Sequence, residues 1–291
     1  MMLRRWKGGV VTTVCALCAA SVALALVAIF AFLCLFALPV FMDGQGFAVI
    51  AGDWKPATGS YGVLPMLQAS MGVAGIALVI GFPLSLGICC GMNGFAPSGV
   101  GQMFRGLVRC LTAVPTVVYG FAALFLLVPL VREAAGRGTG LCWLTASLVL
   151  ALLVVPTMVL VMEAGMGPTV ERVRLTGAAM GLNRGQVMVH MVLPLCWRHM
   201  AGAAALGFGR AMGDTLLPLM LAGNAVQSPG SPLESVRTLT AHIALVLATD
   251  SRSGTYGSLF VAGCLLLLLN LAVQLVLRVL ARSGAQFRRR T

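Results

Sequence analysis

The chain has 291 residues, of which 59% are apolar and only 10% are charged, and its mean hydropathy is +0.97. Soluble domains carry about a quarter of charged residues, so this composition excludes a soluble protein and predicts an all-α, polytopic membrane protein. The net charge of +12 is interpreted as basic residues in cytoplasmic loops that face anionic lipid, and not as a surface for nucleic acid.

Nine cysteines lie mostly in or beside apolar runs, where cysteine behaves as a small hydrophobic residue. Cys15 and Cys18 have the spacing of a metal site, but no histidine or carboxylate accompanies them. We therefore predict no metal site and no disulfide framework.

Six apolar segments are predicted to span the membrane, at residues 10–36, 65–89, 110–131, 141–162, 200–223 and 256–277. The first is much longer than the apolar core of a signal peptide, about 7–15 residues, so we interpret it as a retained span. This pattern divides the chain into an N-terminal helix with a polar external loop (1–64), a five-helix core (65–280) and a basic cytoplasmic tail (281–291).

Six spans place both termini on the same side of the membrane. On that side lie fourteen of the Lys and Arg residues, against five on the other. Because cytoplasmic loops are enriched in Lys and Arg, we expect both termini in the cytoplasm. The polar loops 41–64 and 224–255 then face outward, and the segment 165–199 is cytoplasmic.

The cytoplasmic segment 165–199 alternates charged and apolar residues in a way that favours short amphipathic helices. Gly181 and Asn183 predict a turn between two of them, since Gly adopts positive φ and Asn tolerates it. Pro194 is expected to end or kink the second helix. Spacing alone leaves two interpretations open, an interfacial linker and a docking element for a cytoplasmic partner.

The fifth predicted span contains Arg210 and, one turn on, Asp214. At about 1.5 Å per residue, Arg210 lies near the middle of a hydrocarbon layer about 30 Å thick. A charge there costs at least about 2.5–3.5 kcal/mol, so it faces a bundle interior or a polar cavity. Either Arg210 and Asp214 form an ion pair that locks helices together, or Asp214 holds a guanidinium that binds an oxyanion in transit.

Two motifs resemble those of ABC importer permeases. Gly181, followed after nine residues by Met191 and then by Leu193 and Pro194, is similar to their coupling-loop signature. The Glu-Ala-Ala that normally precedes the glycine is Leu175-Thr176-Gly177 here. The resemblance implies the type I ABC importer permease fold, in which a 165–199 coupling loop with a short helical elbow inserts into a cleft on an ATPase subunit.

The segment 209–215 resembles the Gly-Arg-Ala-x-Gly-Glu-Thr motif of the phosphate ABC importer permeases of the PstC type, with Asp214 in place of Glu. Similarity continues at 54–65, 114–120 and 237–244, and covers roughly residues 50–280. It implies a substrate path that includes Arg210, Asp214 and Thr215, and an ATPase-coupling loop that includes Leu175, Thr176, Gly177, Gly181, Leu193 and Pro194.

The partners are inferred from this resemblance together with what the chain lacks. A P-loop ends in Gly-Lys-Ser/Thr, whereas Lys7 and Lys55 precede Gly8 and Pro56, so we expect no cofactor and no catalytic residue on this chain. ATP and Mg would belong to an ABC ATPase dimer. The resemblance further implies a second permease of the PstA type, a periplasmic phosphate-binding protein, phosphate as substrate, and a multi-pass location in the bacterial inner membrane.

Three alternatives remain at this point. The first is an ABC permease for another oxyanion, such as sulfate, molybdate or phosphonate. The second is an ion-coupled secondary transporter that uses Arg210 and Asp214 as a gate or proton relay, although such proteins more often show internal repeats. The third, an intramembrane enzyme, is disfavoured because neither His-Glu-x-x-His nor Gly-x-Ser-x-Gly occurs.

Overall fold

The structure is a computed structural model that describes residues 2–44, 46–95, 97–136, 138–249 and 253–287. Arg137, Arg252 and the last basic residues of the predicted tail, 288–290, lie outside these ranges. The first part of the described chain consists of α1 (Met2–Met42), α2 (Gly46–Ala51), β1 (Trp54–Lys55), a 3-10 turn (Pro56–Thr58), β2 (Ser60–Tyr61), α3 (Leu64–Cys90), a π-helical turn (Gly91–Phe95), α4 (Ser98–Ala113) and α5 (Thr116–Ala135).

The second part begins with the longest helix after α1. It consists of α6 (Trp143–Ala179), α7 (Arg184–Val187), a second π-helical turn (Met188–Val192), α8 (Leu193–Leu195), α9 (Trp197–Gly213), α10 (Leu216–Leu221), α11 (Leu239–Thr249) and α12 (Ser253–Phe287). The strands β1 and β2 form an antiparallel hairpin with Trp54 opposite Tyr61.

Five helical segments of the described residues are long and apolar enough to cross a membrane: Val10–Met42, Leu64–Phe95, Thr116–Ala135, Trp143–Ala179 and Tyr256–Leu277. They confirm five of the six predicted spans. The third begins later than predicted because Val114 is extended, with ψ 125°, as favoured for a residue before proline.

The prediction of one uninterrupted helix over residues 200–223 is wrong. α9 ends at Gly213 and α10 begins at Leu216, with Asp214 extended between them (φ −72°, ψ 128°). Pro218 explains the break, since it has no N–H for the carbonyl of Asp214, four residues before it, and its ring crowds that carbonyl. The Asp214 carbonyl accepts a hydrogen bond from the Thr240 hydroxyl instead (2.9 Å).

Segments that were predicted as connections contain further helix. α6 continues through residues 165–179, so the first part of the predicted coupling loop is the end of the fourth spanning helix. The polar loop 224–255 contains α11, and the connection 91–109 contains a π-helical turn and most of α4.

The bundle has two ends. We call the end that holds β1 and β2 the hairpin side, and the end that holds residues 175–194 the elbow side. α3 runs from the first to the second, since the π-helical turn that follows it meets the elbow: a Cβ at Gly94 would contact Met188, and one at Gly185 would contact Phe95. α3, α6 and α9 pack against one another and form most of the buried core.

α1 lies at the edge of this core and packs mainly against α12. Phe36 stacks on Phe260 with ring centroids 5.0 Å apart, and the sulfur atoms of Cys34 and Cys264 are 4.0 Å apart. Nearly all other side chains of residues 10–42 are exposed. α1 is therefore a peripheral helix attached to the core along one face.

On the elbow side, α4 is fixed to α6 by an ion pair. Nε of Arg105 donates to Oε1 of Glu163 at 2.5 Å, and Nη2 of Arg105 donates to Oδ1 of Asn93 at 3.4 Å. Because the pair is partly buried, solvent and salt screen the attraction between its charges less than they would at the surface. It ties α4, α6 and the turn after α3 into one unit.

Candidate functional site

Arg210 lies on the exposed face of α9, because the other faces of this helix are packed. A Cβ at Gly207 would lie 2.6 Å from Sδ of Met158 in α6. A Cβ at Gly209 would lie 3.0 Å from Nε2 of Gln274 in α12. These two glycines allow α9 to approach α6 and α12 closely, and they leave Arg210 on the side that the single chain does not cover.

The guanidinium of Arg210 is held by a hydroxyl of the neighbouring helix. Its Nη1 donates to Oγ1 of Thr157 in α6 at 2.8 Å. Within the described ranges no carboxylate oxygen lies within 4.0 Å of Arg210. The cation is therefore oriented without being neutralised, and its remaining N–H groups are available to an anion.

Asp214 does not form the predicted ion pair with Arg210. Its Oδ1 accepts a hydrogen bond from the backbone N–H of Leu217 (2.9 Å), so the carboxylate caps the first turn of α10. The two residues are close in sequence, but the extended backbone at Asp214 separates their roles. Asp214 stabilises the break in the helix, and Thr157 orients Arg210.

Thr215 completes the break next to Asp214. It is the residue before α10, and its carbonyl accepts from the N–H of Leu219 (3.1 Å). The hydroxyls of Thr238 and Thr240 are 3.1 Å apart, and Ser70 of α3 accepts from the N–H of Leu239 (2.7 Å). A small polar network thus connects the break to the start of α11.

The turn at Gly181 is confirmed and is a Schellman motif. Gly181 has φ +73°, its N–H donates to the carbonyl of Ala178 (3.0 Å), and the N–H of Leu182 donates to the carbonyl of Gly177 (3.0 Å). Nothing lies within 4 Å of a Cβ built at Gly181. Glycine is therefore required here by its backbone conformation and not by lack of space.

The second arm of the elbow starts with a capping box at Asn183. Oδ1 of Asn183 accepts from the N–H of Gln186 (2.8 Å), and the N–H of Asn183 donates to Oε1 of Gln186 (2.9 Å). The turn that follows widens into the π-helical turn, which ends at Val192, and Pro194 lies in the short α8 that comes next. This arm ends at Leu195, one residue beyond Pro194, so the predicted end of the second helix at this proline is confirmed.

The elbow is compact inside, and its outer surface combines exposed apolar and charged side chains. Val187 of the second arm lies directly against Gly177, so a side chain at this position would not fit. Leu175, at the position where the family signature has Glu, is 76% exposed, and Met180 is 67% exposed. The charged side chains around them are also exposed: Glu171, Arg172, Arg174 and Arg184. Thr176 is exposed, and Leu193 and Pro194 are half-buried.

Sequence reasoning did not identify Thr157 or Thr240 as part of the site. Thr157 is 53 positions from Arg210, and Thr240 is 26 positions from Asp214. The only local signal for Thr157 is its place after Pro156, in a helix whose other side chains at this level are apolar. In the described part of the chain, no group of three or more His, Cys, Asp or Glu residues could hold a metal ion.

The spanning helices, the broken helix with Arg210 and the exposed elbow define a multi-pass membrane permease subunit. The sequence profile of the family described as "Binding-protein-dependent transport system inner membrane component" matches residues 83–284, and the chain belongs to this family. It is thus an ABC importer permease of the inner membrane, which works with an ATPase and a binding protein and is not itself an enzyme.

Two curated relatives match most of the chain. "Probable ABC transporter permease protein YqgH" of Bacillus subtilis is 30% identical over 236 residues, which are 79% of this chain and 75% of the relative. "Phosphate transport system permease protein PstC" of Pasteurella multocida is 28% identical over 250 residues, 78% of this chain and 77% of the relative.

Solved structures confirm the fold. An inward-facing structure of the MetNI methionine ABC transporter matches with a TM-score of 0.60 at 14% identity, covering 74% of this chain and 93% of that chain. A second crystal form matches with a TM-score of 0.57 at 17% identity, covering 76% and 94%. The type I ABC importer permease fold predicted from the resemblance is therefore confirmed.

Proposed function

We propose that this chain is the PstC-type permease subunit of an ATP-driven importer of inorganic phosphate. The observation that carries the proposal is the Arg210 guanidinium, which Thr157 orients at 2.8 Å and which faces away from the single chain. Relatives from several bacteria that bear the name PstC support phosphate as the substrate. Arg210 with Asp214 and Thr215 would form this chain's part of the substrate path.

The exposed position of Arg210 supports a second permease as partner. Facing lipid, a charge near the middle of the bilayer costs at least about 2.5–3.5 kcal/mol. If a PstA-type subunit covers Arg210 and a polar path runs between the two chains, the side chain instead contacts water or an anion. Phosphate would then pass between the two permeases and not through the interior of either one.

The elbow is the proposed docking point for the ABC ATPase dimer, where ATP and Mg bind. Its exposed Leu175 and Met180 offer an apolar surface to a cleft on the ATPase. The elbow is joined to Arg210 through α9, which starts at Trp197, about 20 Å from Arg210 at 1.5 Å per residue. Movement of the elbow would therefore reach the substrate site through a single helix.

In the proposed orientation, both termini and the elbow side lie in the cytoplasm. The hairpin side, with the loops 41–64 and 224–255, would face the periplasm and receive the phosphate-binding protein. The excess of Lys and Arg on the terminal side of the predicted topology supports this orientation.

The test is uptake of radiolabelled phosphate by proteoliposomes that contain the complete transporter, with its binding protein added from outside and ATP enclosed. We expect ATP-dependent phosphate uptake that a large excess of sulfate or molybdate does not reduce. Uptake of either of those anions in preference to phosphate would identify the other-oxyanion alternative. Uptake without ATP and driven by an ion gradient would identify a secondary transporter.

A further inference from the structure

A second arginine, Arg237, lies on the hairpin side between α10 and α11. It is half-buried, and its Nε donates to the backbone carbonyl of Asn224 at 3.0 Å. Among the residues that the structure describes, no carboxylate oxygen lies within 4.0 Å of it. Arg237 is therefore a cation whose position is fixed and which is partly shielded from water. No described residue serves as its counter-ion.

The carbonyl that positions Arg237 is itself held firmly. Asn224 has a positive φ of 60°, its Nδ2 donates to the carbonyl of Leu219 (2.7 Å), and its N–H donates to the carbonyl of Val236 (3.1 Å). A backbone conformation that is uncommon outside glycine is thus kept by two hydrogen bonds. The direction in which Arg237 points is fixed by the fold.

The surroundings of Arg237 contain polar atoms that the described chain leaves without partners. Both ring nitrogens of His242 and Oδ1 of Asn224 are buried and make no hydrogen bond within the described residues. Burial and, to a smaller extent, the charge of Arg237 lower the pKa of the His242 ring to about 4. His242 is therefore neutral near pH 7 and adds no competing charge. Burial also lowers the pKa of Arg237, although a guanidinium stays protonated at neutral pH.

Arg237 is connected to the break beside Arg210 by a short row of hydroxyl groups. Thr238 directly follows Arg237, its hydroxyl lies 3.1 Å from that of Thr240, and the Thr240 hydroxyl donates to the carbonyl of Asp214 (2.9 Å). The position of Arg237 is thus fixed relative to the broken helix that carries Arg210.

We propose that Arg237 is a second anion site, at which its terminal N–H groups hold a tetrahedral oxyanion on the hairpin side before the anion reaches Arg210. The guanidinium fork fits two oxygens of such an anion. Partial burial strengthens the attraction, since the field of a half-buried cation is screened less than that of a surface cation. The proposal rests on the proposed function and adds an entry step to it.

Occupancy of the site can be measured directly on the complete transporter in lipid nanodiscs. Phenylglyoxal modifies arginine side chains, and mass spectrometry of the peptides reports the rate at each position. We expect inorganic phosphate, at about ten times its dissociation constant, to slow modification of Arg237 by about tenfold through mass action, and to do so equally in the Arg210→Gln variant. Arg132, an exposed arginine in the last turn of α5, serves as the control and should be modified at the same rate with and without phosphate.

Uptake into proteoliposomes provides the second measurement. Arg237→Gln should lower phosphate uptake by about tenfold at limiting concentrations of loaded binding protein, whereas Arg237→Lys should retain most of it and Arg132→Gln all of it. Assembly of the complex and its basal ATP hydrolysis should not change in any variant. If Arg237 had only a structural role, Arg237→Gln would alter assembly of the complex, or Arg237→Lys would not retain phosphate uptake.

The outcomes separate this proposal from the proposed function. Wild-type uptake by Arg237→Gln, or equal protection of Arg237 and Arg132 by phosphate, overturns the entry site while leaving phosphate transport intact. Protection of Arg237 by sulfate or molybdate but not by phosphate leaves the site in place and overturns phosphate as the substrate.

Discussion

Arg210 and Thr157 form the contact that defines the site, since a hydroxyl of α6 orients the guanidinium of α9 at 2.8 Å. A neutral partner leaves the full positive charge of Arg210 available, which a carboxylate partner would reduce. The proposed site would bind an anion by orientation and charge, and the hydroxyl contact could break when the anion moves on.

The first prediction concerns Thr157. Thr157→Val keeps the shape of the side chain but removes the acceptor of Arg210, so we expect phosphate uptake to fall by about tenfold, the cost of losing a hydrogen bond to a charged group. The measurement is the initial uptake rate in proteoliposomes. Thr169→Val is the matched control, because within the described residues the Thr169 hydroxyl bonds only to the carbonyl of Gly165 in its own helix (2.8 Å). An unchanged rate in Thr157→Val would show that the contact has no role in transport.

The second prediction concerns Arg210 itself. Arg210→Gln should abolish phosphate uptake while the protein still inserts and assembles, since glutamine keeps hydrogen-bonding capacity but not the charge. Arg210→Lys should retain partial uptake, because an ammonium is a point charge without the planar fork. Insertion is checked by membrane fractionation, and assembly by co-purification with the ATPase. Normal uptake by the Gln variant would remove Arg210 from the substrate path.

The third prediction concerns the turn of the elbow. Gly181 has φ +73°, a conformation that costs a residue with a side chain about 1–2 kcal/mol and a β-branched one more. Gly181→Val should therefore distort the elbow and uncouple or detach the ATPase. Gly167→Val is the control, because Gly167 lies in α6 without positive φ, and a Cβ added to it would have nothing within 4 Å. Co-purification with full substrate-stimulated ATP hydrolysis in Gly181→Val would show that this segment is not the coupling elbow.

The fourth prediction tests the packing of the peripheral helix. The sulfur atoms of Cys34 in α1 and Cys264 in α12 are 4.0 Å apart, so mild oxidation of membranes with copper phenanthroline should join them in a disulfide. Mass spectrometry of linked peptides should detect the product in the wild type and in Cys110→Ser, and it should be lost in Cys34→Ser. Failure to form the link in the wild type would contradict the observed contact between α1 and α12.

The fifth prediction concerns the pH dependence of stability. His242 packs edge-on against Trp54 with ring centroids 4.4 Å apart, and its pKa is lowered to about 4 by burial and then by the charge of Arg237. Above pH 6.5, His242 is mostly neutral in both the native and the unfolded state. As the pH falls from 6.5 towards 4 only the unfolded state gains the proton, so stability decreases by at most about 3 kcal/mol.

The measurement for His242 is the thermal unfolding midpoint of the purified protein at a series of pH values. His242→Phe should flatten the decrease between pH 6.5 and 4. His190→Gln should not, because His190 is exposed on the elbow. An equal pH dependence in wild type and His242→Phe would show that His242 titrates normally.

The general organisation of the fold could be predicted from the sequence because it depends on local composition. A run of about 20 apolar residues spans a bilayer wherever it occurs, and Gly181 adopts positive φ for reasons that lie in its own backbone. The later start of α5 at Thr116 also has a local reason, because Val114 precedes a proline and a residue before proline disfavours the helical conformation.

The details of the site could not be predicted because they depend on contacts between distant segments. Arg210 and Asp214 are one helical turn apart in sequence, which suggests an ion pair, but that argument assumes a continuous helix. Pro218 breaks the helix, and Thr240 from a distant segment stabilises the break. The partner of Arg210 likewise comes from another helix, and hydroxyl residues are too common in membrane helices to identify Thr157 beforehand.

The exposed position of Arg210 has a consequence for the life of the protein in the cell. With a second permease covering Arg210, as proposed, a subunit that is inserted before that partner arrives would present this guanidinium to lipid and be destabilised by a few kcal/mol. Such unassembled copies should be preferred substrates of membrane proteases, because destabilisation of this size alters steady-state abundance several-fold. The residue proposed to recognise the anion would thereby also help to match the amount of this subunit to that of the proposed second permease.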